Sequence, residues 1–381
     1  KESKSQDLKK VPPMLELVLK NSKNIKLILL TATPMYDNAS EIIWLLNLLL
    51  MNDKRSLIIT SKVFDKKGNL TPEGEKILIN KSKGYISYLR GENIIRFPKR
   101  LYPLQDKNLI KNFPILDINN KDITEEEIIK DFKIVGSIMK GEQLNTYKKM
   151  EDKDELGKGE GSFGSFSQKG SMISNIVFPF DSDSTDDLIG QSGFTNVFKK
   201  HKNKQDIHFS IKDPKNDNFL DLENLKNYSA KISNIIQNIS LSKGIVFIYS
   251  QFIWSGILPL ALALEYHGYH NYNKTIFSGK RATQDIKGKY ILITGDKDLS
   301  KNSYSEYLKI QSKNQNGEQV KIILGSETAA EGLDFSNIRE VHILDPWHHI
   351  NKLEQIIGRG IRNCSHTNLD PEERNVTIYL H

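Results

Sequence analysis

The sequence predicts an α/β protein in which a parallel sheet carries helices on both faces. Three observations lead there. From Lys243 onward, short apolar runs of strand length alternate with helical segments. The runs themselves are mostly apolar, as expected of strands buried on both faces. Small, hydroxyl and glycine residues follow them, where an open parallel sheet gathers its ligands.

In chain order, Ile25–Thr31 (IKLILLT) reads as a first buried strand. Asn38-Ala39-Ser40-Glu41 then matches a capping box. The helix after it, EIIWLLNLLLM, is apolar nearly all round and should be buried. Residues 52–135 are mixed and charged, with one dense run, 84-GYISYLRGENIIRFPKR-100. From about Glu151 to Asp221, charge, Gly, Ser and Asn dominate, which reads as loops and insertions. The regular alternation follows: strand 244–250, helix 254–267, strand 290–295, helix 303–312, strands 320–325 and 339–345, a helix containing Gln355, and strand 375–380. Three domains fit this layout: 1–105, an insertion over 106–239, and 240–381.

Composition bounds the function without fixing it. The chain has 381 residues, and 54 Lys+Arg against 47 Asp+Glu give a net charge of +7. That surplus suits a nucleic-acid partner and equally a plain basic enzyme. A single cysteine, Cys364, excludes a disulfide framework and a thiolate metal site. No apolar run reaches membrane-spanning length, so no membrane partner is expected. The first residue is not Met, and a longer parent protein is the expectation.

Three stretches carry chemistry. In 31-TATP-34, Thr31 and Thr33 bring hydroxyls to the end of a strand. In 325-GSETAAEGLDF-335, small residues let backbone amides approach an anion, Gly332 permits a tight turn and Asp334 supplies a carboxylate. In 355-QIIGRGIR-362, Arg359 and Arg362 lie three residues apart, hence on one helical face. Two glycines interrupt that helix, each costing about 1 kcal/mol relative to Ala. Gly159 to Gly164 fits G-x-G-x-x-G, but it follows a charged stretch rather than a strand and reads as a loop. The adjacent His348 and His349 form no zinc arrangement with Cys364.

In this order the stretches resemble the motor of the superfamily 2 helicases, in the Swi/Snf-like branch. Thr31-Ala32-Thr33-Pro34 resembles motif III, 247-FIYSQF-252 motif IV, Gly325 to Phe335 motif V, and Gln355 to Arg362 the Q-x-x-G-R-x-x-R of motif VI. A DPW-type segment stands at 345-DPWHH-349. The runs 84-GYISYLRGENIIRFPKRLYP-103, MISNIVFP and GIRNCSH are similar to the large-DNA-virus group, which includes the poxvirus early transcription factor small subunit and nucleoside triphosphatase I. No P-loop or DExH box occurs; 164-GSFSQKGS-171 has its Lys and Gly exchanged.

The resemblance implies two RecA-like lobes, with part of the first and all of the second in this chain. It implies a DNA-dependent ATPase of helicase or translocase type acting in viral transcription. ATP and Mg²⁺ would be bound, with the Mg²⁺ ligands upstream, so that this chain alone is expected to be inactive. Arg359, Arg362 and Gln355 would be catalytic, with Gly332, Asp334 and Gly358 at ATP. Thr31 and Thr33 would couple the two sites. Ser250, Gln251, Thr294, Gly295, Ser326 and Thr328 would hold strand phosphates. The partners implied are duplex DNA through its backbone, and a viral RNA polymerase or a second transcription-factor subunit. The setting would be the host cytoplasm or the virion, with the nucleus for a cellular homologue. Two alternatives are a non-catalytic DNA-binding scaffold and an RNA-directed helicase.

Overall fold

The computed structural model describes residues 2–31, 34–35, 38–66, 68–87, 96–112, 115–116, 121–125, 128, 133–156, 163–203, 206–283, 285–330, 333–346 and 350–381. It separates into two compact units, 1–91 and 92–381. Residues 106–239 therefore belong to the same unit as 240–381.

The first unit is helical: α1 (Glu2–Asn21), α2 (Glu41–Asn52), α3 (Thr60–Val63) and α4 (Pro72–Ser82). Helix α2 is buried on two sides, as its all-round apolar character requires. Ile43, Leu46 and Leu50 pack with Ile58, Val63 and Phe64, while Leu48 and Met51 pack with Leu19 of α1. The capping box does not form. The Asn38 carboxamide instead accepts from Ser40 N at 2.8 Å, and Ser40 makes no side-chain cap. Helix α4 starts on Thr71, whose hydroxyl accepts from Gly74 N, with Pro72 at the first position.

The strand expected at Ile25–Thr31 is absent: among the described residues the segment joins no ladder, and Ile28 and Leu30 are exposed. An apolar run suits a strand, but only a neighbouring strand can satisfy its backbone. Among the described residues this unit contains no strand.

The second unit is built on seven parallel strands: β1 (Lys99–Leu101), β4 (Ile245–Tyr249), β5 (Tyr269–Asn271), β6 (Gly288–Ile293), β7 (Ile322–Gly325), β8 (Ile338–Ile343) and β9 (Asn375–Leu380). Their order is β1-β9-β8-β4-β7-β6-β5. The predicted strands 244–250, 290–295, 320–325, 339–345 and 375–380 are all present. Strands β1 and β5, three residues each, are too short to announce themselves.

Alternate residues of the strands enter separate cores. Val246, Ile248, Ile322 and Leu324 face α9 (Ala230–Leu241) and α10 (Leu258–Tyr266). Ile245, Phe247 and Ile323 face α12 (Ser303–Ile310) and α14 (Ile350–Gly360). Short helices α11 (Lys297–Ser300) and α13 (Glu327–Ala330) follow β6 and β7.

The middle segment overturns the loop reading. It contains α5 (Gly141–Leu156), α6 (Phe163–Asn175), α7 (Gly190–Val197), an antiparallel ribbon of β2 (Phe198–Lys202) and β3 (Ile207–Ile211), and α8 (Leu222–Leu225). Phe178, Phe194, Phe198, Phe209 and Phe219 join the core on the α9 side of the sheet. Single aromatics spaced among polar residues give no periodicity, yet each buries a large apolar area.

Candidate functional site

Two groups of predicted residues assemble in the second unit. The first gathers around α14. Leu353, Ile356, Ile357 and Gly360 form its buried side, which leaves Gln355 and Arg359, one turn apart, on a partly exposed side. The helix ends at Gly360, so Arg362 lies beyond it rather than on the same helical face. Its Nε donates back to the Gly358 carbonyl at 3.2 Å, satisfying one of the orphaned helix-end acceptors.

Both arginines turn toward residues 333–334. Arg359 Nη1 donates to the Leu333 carbonyl at 3.1 Å, and the Arg362 guanidinium pairs with the Asp334 carboxylate. Tyr304 of α12 fixes that residue from behind. Its hydroxyl accepts from Asp334 N at 3.0 Å and donates to the Asp334 carbonyl at 3.4 Å. Burial pushes the Tyr304 phenol above its usual range, so it stays neutral and able to donate. Nothing in the sequence marks Tyr304 except its place on an amphipathic helix.

Arg362 and Asp334 are 36% and 66% exposed. Such an exposed pair contributes at most about 1 kcal/mol. A phosphate could therefore take over the guanidinium at little expense. With two guanidiniums and one carboxylate, the group keeps a net positive charge.

The glycines of this helix differ. A Cβ on Gly360 would stand 2.8 Å from Val341 Cγ2 and 3.2 Å from Ile338 Cγ2. Its missing side chain therefore seats α14 on β8. A Cβ on Gly358 would meet open space.

The second group lies at the carboxyl ends of β4, β7 and β6. Backbone bonds hold these ends together: Ser250 N donates to the Gly325 carbonyl at 3.2 Å, and Ser326 N to the Ile293 carbonyl at 3.0 Å. Gly295 is exposed and Gln251 half-buried, and the Gln251 backbone N–H is taken up by the Asp345 carboxylate. Ser326 is buried, with its carbonyl accepting from Ala329 N.

Two hydroxyls are occupied inside the protein, against the expectation that they meet a phosphate. Thr294 Oγ1 is hydrogen-bonded to Ser300 Oγ at 3.0 Å and is buried. The Ser250 hydroxyl, fully buried, donates to Asp345. Asp345 also accepts from Gln251 N at 2.9 Å and from Asn175 Nδ2 at 3.1 Å. Lys231, whose Nζ donates to the Leu344 carbonyl at 2.8 Å, lies beside them. Burial pushes the Asp345 carboxyl up and pulls the Lys231 ammonium down to about 8. Sequence reasoning missed this buried knot, whose one visible signal was a carboxylate ending a strand.

Thr31 is exposed in the first unit. Thr33 and Gly332 lie outside the described residues, as do 347–349 and the side chain of Thr328. Among the described residues, no group of three or more His, Cys, Asp or Glu could hold a metal ion.

Residues 270–364 match the helicase conserved C-terminal domain. A protein of Acanthamoeba polyphaga mimivirus, provisionally named ATP-dependent RNA helicase R563, is 28% identical over 94% of this chain and 54% of its own length. A termination factor NPH-I homolog of African swine fever virus is 35% identical over 41% of this chain and 26% of its own. The chain thus spans about half, or less, of the viral relatives it matches. Among solved structures, the Sulfolobus solfataricus SWI2/SNF2 ATPase core in complex with dsDNA matches with a TM-score of 0.34 at 15% identity, over 64% of this chain and 39% of that one.

Proposed function

For a chain whose residues 270–364 are a helicase conserved C-terminal domain, we propose a role as the second lobe of a nucleic-acid-dependent ATPase that moves on DNA during viral transcription. The observation that carries this reading is the convergence of Arg359 and Arg362 on residues 333–334. Phosphoryl transfer needs positive charge on the transferring group as its charge redistributes, and an arginine from a separate body supplies about 10³–10⁵ in rate. Arginine suits the task because its planar fork meets two phosphate oxygens and stays charged.

Asp334 holds Arg362 until a γ-phosphate replaces the carboxylate. Tyr304 keeps Asp334 in position, and Gln355 orients the site from the same side as Arg359. The carboxyl ends of β4, β6 and β7, where Gly295 is exposed and Gln251 half-buried, meet strand phosphates without reading sequence. Thr31 and Thr33 take the coupling role, and Gly332 and Gly358 allow close approach to the nucleotide. Duplex DNA and a viral polymerase or transcription-factor subunit are the partners, and the infected cell or virion is the setting.

The test uses the full-length protein. Arg362→Ala should lower ATP turnover by roughly a hundredfold or more with little change in DNA affinity. Normal turnover in that variant would remove Arg362 from the mechanism. The mimivirus relative's name gives RNA as a second reading, and stronger stimulation of turnover by RNA than by duplex DNA would select it.

A further inference from the structure

We infer that the β2–β3 ribbon is a second docking point for the nucleic-acid backbone, tied to the helix that follows the carboxyl end of β6. The inference rests on the nucleic-acid function proposed for the lobe.

The ribbon has two unlike faces, set by strand alternation. Phe198, Ile207 and Phe209 turn inward and are buried. The cross-strand pairs Lys199↔Ser210 and His201↔His208 turn the other way. Lys212, next on this outward side, donates its backbone N–H to the Val197 carbonyl. Lys199 and Lys212 are exposed, and among the described residues no ion pair engages either. On the tip side of both lysines, the imidazoles of His201 and His208 stack at 4.9 Å with an 8° interplanar angle. His201 Nε2 is 2.8 Å from Ser210 Oγ.

The location points to the occupant. Near the tip, Lys202 Nζ pairs with Asp298 Oδ2 at 2.7 Å, and Lys200 approaches the same carboxylate at 3.8 Å. Asp298 belongs to α11, which starts directly after Thr294-Gly295 at the end of β6. The ribbon is thus fastened through its Lys200–Lys202 side to the segment after Gly295, with Lys199 and Lys212 on the opposite, outward face. On the other side, β3 is bridged to Phe277, and Lys274 neutralises Asp206. What remains on the outward face is positive and polar. The five residues of a strand extend roughly 14 Å, the rise of about four base pairs along a duplex axis at 3.4 Å each. A phosphate backbone complements that face in charge and in length.

The experiment measures duplex DNA binding by full-length protein and its Lys199→Gln/Lys212→Gln variant, by fluorescence anisotropy from 50 to 300 mM salt. Each lysine–phosphate pair removed should make the slope of log affinity against log salt shallower by about 0.9. The double variant should therefore bind about sixty-fold more weakly at 0.1 M salt, with a slope shallower by about 1.8. Both positions are exposed, so an unchanged circular dichroism spectrum and melting temperature should accompany the weaker binding. A variant with the wild-type affinity and slope overturns the role of the ribbon while leaving the motor function intact. If wild-type protein binds no nucleic acid, the underlying function itself fails.

Discussion

Gly358 and Gly360 stand two residues apart in one helix and do opposite work. Gly360 lies against Val341 and Ile338, so Gly360→Ala should lift α14 off β8 and destabilise the protein by about 1–3 kcal/mol. Gly358→Ala meets open space and should stabilise the helix by up to about 1 kcal/mol. Urea unfolding of both variants distinguishes them, and equal midpoints would refute the assignment. In the sequence both glycines read alike, as helix interruptions of equal cost. Only the packed helix shows that Gly360 answers to the sheet beneath it. The arginines were legible as a pair because their spacing and charge are local properties. Their shared target at residues 333–334 was not, since it depends on where a separate loop folds.

At the scale of elements, legibility follows how much of the signal is local. Strands β4, β6, β7 and β9 stand out because their runs are largely apolar and buried. The ribbon and the helices of residues 141–211 do not, because their core contributions are single aromatics between polar neighbours. The Ile25–Thr31 run fails in the opposite sense: its composition suits a strand, but among the described residues no ladder partner exists for it. The buried knot around Asp345 is likewise invisible in one dimension, since Asn175, Lys231 and Ser250 meet it from three elements. Ser250→Ala should therefore lower stability by about 1–3 kcal/mol and leave DNA affinity within about twofold of wild type. A large drop in affinity at unchanged stability would return Ser250 to the phosphate surface.

The whole molecule inherits a pH limit from the turn that follows α14. His366 is buried, with Nε2 donating to the Ile338 carbonyl at 2.6 Å and Nδ1 facing the Ser365 hydroxyl at 2.8 Å. Burial pulls its pKa from 6.5 down to about 4. The folded state therefore accommodates the neutral ring, while the unfolded chain takes up the proton first. The contribution of His366 is complete above about pH 6.5 and is lost as pH falls from there through 4. The linked change is on the order of 3 kcal/mol. Unfolding free energy measured at about pH 7 and pH 4.5 should fall more steeply in wild type than in His366→Gln, and parallel slopes would reject the linkage. A consequence for synthesis follows from the pairing of Lys99 with Asn375. Those partners are 375 − 99 = 276 positions apart, so a ribosome releases β1 long before its neighbour in the sheet exists. Until the last strand emerges, that margin of the sheet waits unzipped, and a stop codon ahead of Asn375 would leave it so for the lifetime of the polypeptide.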